Sequence, residues 1–477
     1  MKKITILTYL FIIFACFIST AQTTVYVSAS GGGDGTSESS PLGNFGNALN
    51  QITSEGDKLV IIGTISLEGI NLTSKSFAFT IEGLDTSSTF EGDGGTSRLF
   101  TINGATSANV TFKNLTFSDN NTTLAGGAVL FNNNGGASVT FENCTFSGNS
   151  VTNGAGGGAI WFANGTLNIT DSTFDSNSSS DEAGAIFGQS GTITITNTLF
   201  KSNSVPTKGG AIYALNADFT ITGSTFYDNA TTNTSGASGG AALYVSGAGS
   251  TNSITNCTFF QNRIGLTNNQ DYATIRTDNG TTTVINSLFY DNKTNNGEGS
   301  PADWGSGPNG TQTFNTSIAQ WVSNNIDNLD EGTGSITGIK GGGGTPANLS
   351  ESNLTFNATS GYVEYNTVEE GTDSPIDFGS DGNDVGAWNS GLTLSLDEVL
   401  KSNVSIYMNT DSKTIEINHD LDQSLSVKLF TILGSSVMEL KNVSKTAILN
   451  VNQLKTGVYI LVGKSSGRYF SKKLLIN

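Results

Sequence analysis

A seven-residue segment that recurs seven times in slightly different spelling constrains this chain more than any other feature. The copies are NLTFSDN from Asn114, NCTFSGN from Asn143, DSTFDSN from Asp171, NTLFKSN from Asn197, GSTFYDN from Gly223, NCTFFQN from Asn256 and NSLFYDN from Asn286. Their phenylalanines, at 117, 146, 174, 200, 226, 259 and 289, are 29, 28, 26, 26, 33 and 30 residues apart. Self-similarity at this period means stacked units instead of one wound globule. The period is too short for two packed helices. Each unit instead holds brief runs of strand formers between Gly and Asn, as in 211–214, 219–222 and 225–227. Three short strands and three turns per repeat predict an all-β chain, a right-handed parallel β-helix whose strands pair one coil away at ~4.8 Å.

Period-two alternation selects the side chains that enter the core. Phe226 and its six counterparts point inward, as do Ile169, Ile195 and Ile221 on the neighbouring strand. Three residues after every one of these phenylalanines stands Asn: 120, 149, 177, 203, 229, 262 and 292. Stacked Asn side chains can bond amide to amide along an axis, and Asn tolerates a left-handed turn. One structural role explains all seven, so this row is read as a ladder and not as catalytic. A Gly-Gly-Ala element opens the other strand at 126, 157, 209 and 239, with Ala183-Gly184-Ala185 as a weaker copy. Small residues there suit a corner where coils approach closely.

The pairing of GGAI with a following FxxN resembles the repeats of chlamydial polymorphic outer-membrane proteins and of many bacterial surface β-helix proteins, over roughly residues 114–292. That resemblance implies the fold; its proteins are mostly adhesins or have no assigned activity. Residues 25–65 resemble the opening of pectate-lyase-like β-helix proteins, with Phe45, Leu49 and Ile52 at helical spacing as a cap over the open end of the stack.

At the N-terminus, Lys2 and Lys3, an apolar run from Ile4 to Ile18 and Ser19-Thr20-Ala21 read as a signal peptide over 1–21, favoured over a lipoprotein signal at Cys16 because Phe14 is bulky. No other run approaches the ~20 apolar residues of a membrane span. The two remaining cysteines, Cys144 and Cys257, share a repeat slot four coils apart, about 19 Å at ~4.8 Å per coil. That exceeds the roughly 7 Å a disulfide allows, so each is expected as a free buried thiol.

Up to residue 390 the chain carries 12 basic and 33 acidic residues, net −21, and beyond it 10 and 7, net +3. This shift divides 22–390, the β-helix with its cap, from 391–477, which alternates as a small antiparallel β-sandwich. Val427-Lys428-Leu429-Phe430 with Gly434, Leu454-Lys455-Thr456-Gly457-Val458-Tyr459, Gly467 and Lys472-Lys473-Leu474 resemble the C-terminal sorting domain of the Bacteroidetes type IX secretion system. Ile406-Tyr407-Met408-Asn409 stands where the usual Tyr-Pro-Asn-Pro opening would be, which leaves the start of the domain open. The resemblance implies contact with that machinery, passage across the outer membrane, and release or surface attachment. Ser374-Pro375-Ile376-Asp377 and Asp384-Val385-Gly386-Ala387-Trp388 resemble the closing motif of surface β-helix proteins. Their acids could take calcium, though the spacing is not an EF-hand.

Catalytic groups are thin. The one histidine, His419, lies in the sorting segment and is expected at its surface. A lyase needs a cation and a base near the substrate's α-proton, yet Lys201, Lys208, Arg263, Arg276 and Lys293 scatter over different coils. Arg276, near Asp271, Tyr272 and Asp278, is the best of them; its plainer reading is an ion pair. Asp171 and Asp175 share a coil, but Asp171 occupies a turn slot. The sequence shows no metal-ligand spacing, and the acidic helix argues against nucleic acid.

One constellation stands out. With Val129, Ile160, Ile186 and Ile212 inward, Leu130, Trp161, Phe187 and Tyr213 face outward, and Tyr244 continues the row. Aligned at ~4.8 Å steps, these form an aromatic stripe suited to sugar faces unless loops such as 230–238 fold over it. Trp161, Phe187, Tyr213 and Tyr244 are therefore the candidate binding residues. The leading expectation is an adhesin-like secreted or surface protein that binds glycans or another surface. A polysaccharide lyase or glycoside hydrolase and a structural coat protein are the alternatives.

Overall fold

The structure, a computed structural model, describes residues 22–294 apart from 93–95, 105–108, 134–135, 155, 234–238, 266–272 and 291; five strands between 304 and 365; and most of 404–476. The signal segment 1–21, Asp271, Tyr272 and the acidic stretch 374–388 lie outside the described residues. The described chain forms two units, Met1–Trp388 and Asn389–Asn477.

The first unit is a parallel β-solenoid of about seven turns. One complete coil shows why the sequence winds this way. Strand Ile212–Leu215 is followed at Asn216 (φ 57°) by Ala217–Thr222, then at Gly223 (φ 60°) by Thr225–Tyr227, and at Asp228 (φ 53°) by Ala230–Thr231. Each left-handed residue turns the chain between two extended runs. Every strand pairs in parallel with its equivalent in the next coil, Ile212 with Leu243, Ile221 with Ile254 and Phe226 with Phe259. The coil thus contributes to four ladders, and the fourth, two residues per coil, adds to the three that the sequence predicts. The first two ladders join in an 18-stranded sheet; the third holds ten strands and the fourth seven.

The core is the inward half of this pattern. The seven motif phenylalanines are fully buried. They stack with centroids 4.6–4.9 Å apart and rings within 8° of parallel. Burying each such ring contributes ~1.5–3 kcal/mol. At the open end, helix α1 (Phe45–Gln51) is capped by Asn44, whose side chain accepts from the Asn47 N–H at 2.8 Å. Its Phe45 ring meets Phe90 and Phe100 edge-on at 5.5 and 6.0 Å, closing the stack.

The FxxN asparagines form the expected ladder, but they are not the left-handed residues. Positive φ falls one position earlier, at Asp119, Gly148, Ser176, Ser202, Asp228 and Gln261. The preceding residue makes the turn, which drives the Asn side chain inward where its amide can bond. Cys144 and Cys257 are buried and free. Burial pushes both thiols up to about 12.

In the second unit, strands Val404–Asn409, Thr414–His419 and Thr446–Asn450 form one antiparallel sheet. Leu425–Thr431, Ser436–Val443, Gly457–Ser465 and Arg468–Ile476 form another, and Ile415, Ile417, Val427, Leu429, Leu449 and Leu461 fill one core. His419 departs from its expected surface position. It is 7% exposed, because the 443–445 segment lies against it: the ring Nε2 donates to the Val443 carbonyl at 3.1 Å and the His419 N–H to the Lys445 carbonyl at 2.9 Å.

Candidate functional site

The outward positions of the first ladder bring the four predicted residues into one row. Register pairs Leu130 with Trp161, Trp161 with Phe187, Phe187 with Tyr213 and Tyr213 with Tyr244. Trp161 and Phe187 lie parallel, 6.4 Å apart at 3°. Phe187 meets Tyr213 edge-on at 5.3 Å, and Tyr213 meets Tyr244 likewise at 5.1 Å. With Ala183 they form a cluster separate from the main core.

The row faces away from the core but is not an open stripe. Phe187, Tyr213 and Tyr244 are 8%, 4% and 5% exposed, while Trp161 is half-buried. The segments that lead into the corners at Gly157 and Gly209 lie against these rings. At Gly156 the chain passes so close that a Cβ would stand 3.0 Å from the Phe187 ring. Farther along, Lys208 Nζ sits 5.6 and 5.3 Å from the Tyr213 and Tyr244 centroids and pairs with Glu182 at 3.3 Å. Cation–π attraction holds that cover in place.

The row also continues into a residue that sequence reasoning treated as a separate candidate. Tyr244 pairs in register with Arg276. Arg276 Nε donates to Asp278 Oδ1 at 2.6 Å, and the Tyr244 hydroxyl donates to the other oxygen of the same carboxylate. Burial, helped by the Glu182 and Asp278 charges, raises the Tyr213 phenol above its ordinary value; burial and the Asp278 hydrogen bond do the same for Tyr244. Both stay protonated at neutral pH, so neither is a ready base for proton abstraction. The 32-residue step from Tyr244 to Arg276, longer than most periods, hid their adjacency.

The other candidate cations are held by acids of the preceding coil: Lys201 with Asp175 at 3.0 Å and Arg263 with Asp228 at 2.6 Å. The Lys293 side chain lies outside the described residues. Asp171 has φ 50° and accepts from Asn197 Nδ2 at 3.3 Å, a turn residue and not half of a carboxylate pair. Among the described residues no group of three or more His, Cys, Asp or Glu could hold a metal ion, and no helix is long and apolar enough to cross a membrane.

With this geometry in place, two family models match parts of the chain. Residues 197–215, spanning one Gly-Gly-Ala corner and its strand, match the Chlamydia polymorphic membrane protein repeat. Residues 405–477 match the secretion system C-terminal sorting domain, and the match begins at the first strand of the second unit. No curated protein matches the sequence. The sorting-domain match indicates export through the type IX secretion system to the cell surface or the extracellular space, and the described solenoid is that of a β-helix repeat surface protein.

Proposed function

We propose that this exported solenoid is adhesin-like and works by binding a glycan or another surface at the open end of its aromatic row. The observation that carries this is the setting of Trp161. It is the half-buried ring of the row, backed by a parallel Phe187 that Tyr213 locks edge-on. A surface ring held flat from behind loses little freedom on binding and suits the apolar face of a sugar. Leu130 continues the row by one rung but is 9% exposed, as buried as Phe187, so Trp161 is the member of the row open to a ligand.

Turnover is the alternative, and it would centre on Arg276, Asp278 and Tyr244. The raised phenols and the pairing of Arg276 with Asp278 favour binding over chemistry. The test is retention of the protein on a polysaccharide array. Trp161→Ala should abolish retention at temperatures where a melt shows the variant still folded, at a stability cost of ~1–3 kcal/mol. Full retention by that variant would contradict the assignment. Tyr213 is a poor probe for this purpose, since at 4% exposure its removal would leave a cavity.

A further inference from the structure

The second ladder carries an outward face of a different kind. Its middle column runs in unbroken register over eight rungs from Thr80 to Thr283, with Thr at six of them and Asn168 and Ser253 at the others. A flanking column holds Thr170, Thr196, Thr222 and Thr255 on successive coils, and the opposite one holds Thr166 and Thr192. These side chains are half-buried or exposed, while the alternate positions, such as Leu167, Ile169, Ile193 and Ile195, are fully buried. The register shifts of this sheet fall between Phe131 and Asn132, between Val245 and Thr251 and between Thr277 and Asn279, outside the middle and flanking columns.

Strand propensity favours Thr at any outward position, and the third ladder has a threonine column of its own, 64, 89, 116, 145 and 173, but it is a single column, broken at Leu199 and flanked by Asp175 and Lys201. The outward row of the first ladder is Leu, Trp, Phe, Tyr, Tyr and Arg, and in the third ladder Lys201 is followed by Tyr227 and Phe260. Among the described ladders the second is the one that repeats threonine in more than one outward column. Rungs are ~4.8 Å apart and alternate residues along a strand ~6.6 Å, so the middle column alone spans ~34 Å. In a chain of net charge −18, this face is close to neutral. Asp218 is the acid within its threonine-rich coils, and the Lys58–Glu82 and Lys113–Glu142 pairs border the first rungs at one end.

We propose that this face binds ice. A hydroxyl donates and accepts as water does, and β-branching fixes its direction. One such group gains almost nothing by exchanging liquid water for lattice water. An array fixed by the backbone at repeats comparable to the oxygen rows of an ice crystal engages many lattice sites for one loss of translational freedom. Charged groups, which hold liquid hydration, are confined to Asp218 and to the paired residues at one end, and the rings that stack on sugars are missing from these columns. The face is distinct from the Trp161 row, and the proposal does not depend on glycan binding there.

The experiment is partition of the full chain into slowly growing ice, alongside a protein that does not bind ice. Incorporation is expected, with loss of it in the Thr192→Lys, Thr220→Lys double variant and in Thr220→Lys alone. Both positions are exposed strand sites where Lys is compatible with folding, which a thermal melt verifies. Trp161→Ala should incorporate as the parent does. Exclusion of the parent from ice overturns the proposal. So does undiminished incorporation of the Lys variants. Retention on crystalline cellulose, lost in the Lys variants and unaccompanied by ice incorporation, would assign the face to polysaccharide and also overturn it.

Discussion

Asn203 Oδ1 accepts two hydrogen bonds from the coil before it, one from the backbone N–H of Asn177 and one from its Nδ2, both at 3.0 Å. Asn203 in turn donates through its own Nδ2 to the Phe174 carbonyl and to Asn229 Oδ1, each at 2.9 Å. The same pattern repeats from Asn149 to Asn292, and every polar atom of the buried amide is satisfied. Asn203→Leu would strand buried donors and acceptors on both neighbouring coils at ~1–3 kcal/mol each. We expect a loss of about 3–5 kcal/mol in a denaturant or thermal melt. Unchanged melting would mean that the ladder does not stabilise the coil.

The weak third copy of the corner makes a sharper prediction. Ala183 sits at φ 57°, where the other copies place glycines at φ 66–75°. Gly184 has no such freedom to lose its identity, because a Cβ there would stand 2.1 Å from the Gly210 carbonyl oxygen. Ala183→Gly should therefore stabilise by ~0.5–1 kcal/mol through relief of left-handed strain. Gly184→Ala should destabilise by ~2 kcal/mol or more, as coils must separate. Equal effects of the two changes would show that steric contact does not set the corner.

Alkaline pH should unfold the solenoid cooperatively. Folding raises the Cys144 and Cys257 thiols from 9.0 to about 12 and also raises the Tyr213 and Tyr244 phenols. A group held neutral in this way contributes stability that is complete below its unfolded pKa. That contribution is lost as pH climbs, between 9.0 and about 12 for the thiols. Native protein should leave both thiols unreactive toward a disulfide reagent at pH 8, and Cys144→Ala with Cys257→Ala should flatten the decline above pH 9. Rapid labelling of the folded state would contradict the buried setting.

Tyr244→Phe should leave the fold intact and cost about 1–2 kcal/mol, since the Asp278 carboxylate loses a charge-assisted donor while keeping Arg276. Melting of this variant against the parent measures it.

What the sequence made legible follows the strictness of its period. The inward phenylalanines, the FxxN ladder and the spacing of the two thiols are fixed by a motif that never slips, so alternation alone placed them. The alignment of Trp161 with Phe187, Tyr213 and Tyr244 was legible for the same reason. Their burial was not, because the cover comes from Gly156 and the Lys208–Glu182 pair, which lie in corner segments of variable length. The adjacency of Tyr244 and Arg276 was obscured in the same way. In the second unit, the Ser, Met, Glu, Lys and Asn residues of Ser436–Val443 do not spell a strand; pairing with Leu425–Thr431 makes it one.

The most direct test of the binding role is to score retention and turnover together: the exported protein on a polysaccharide array, with reducing-end and unsaturated-product assays on every hit. Retention that depends on Trp161, with no new chain ends, is the predicted result. Product formation that is lost on Arg276→Ala would contradict it and make the Tyr244, Arg276 and Asp278 cluster an active site.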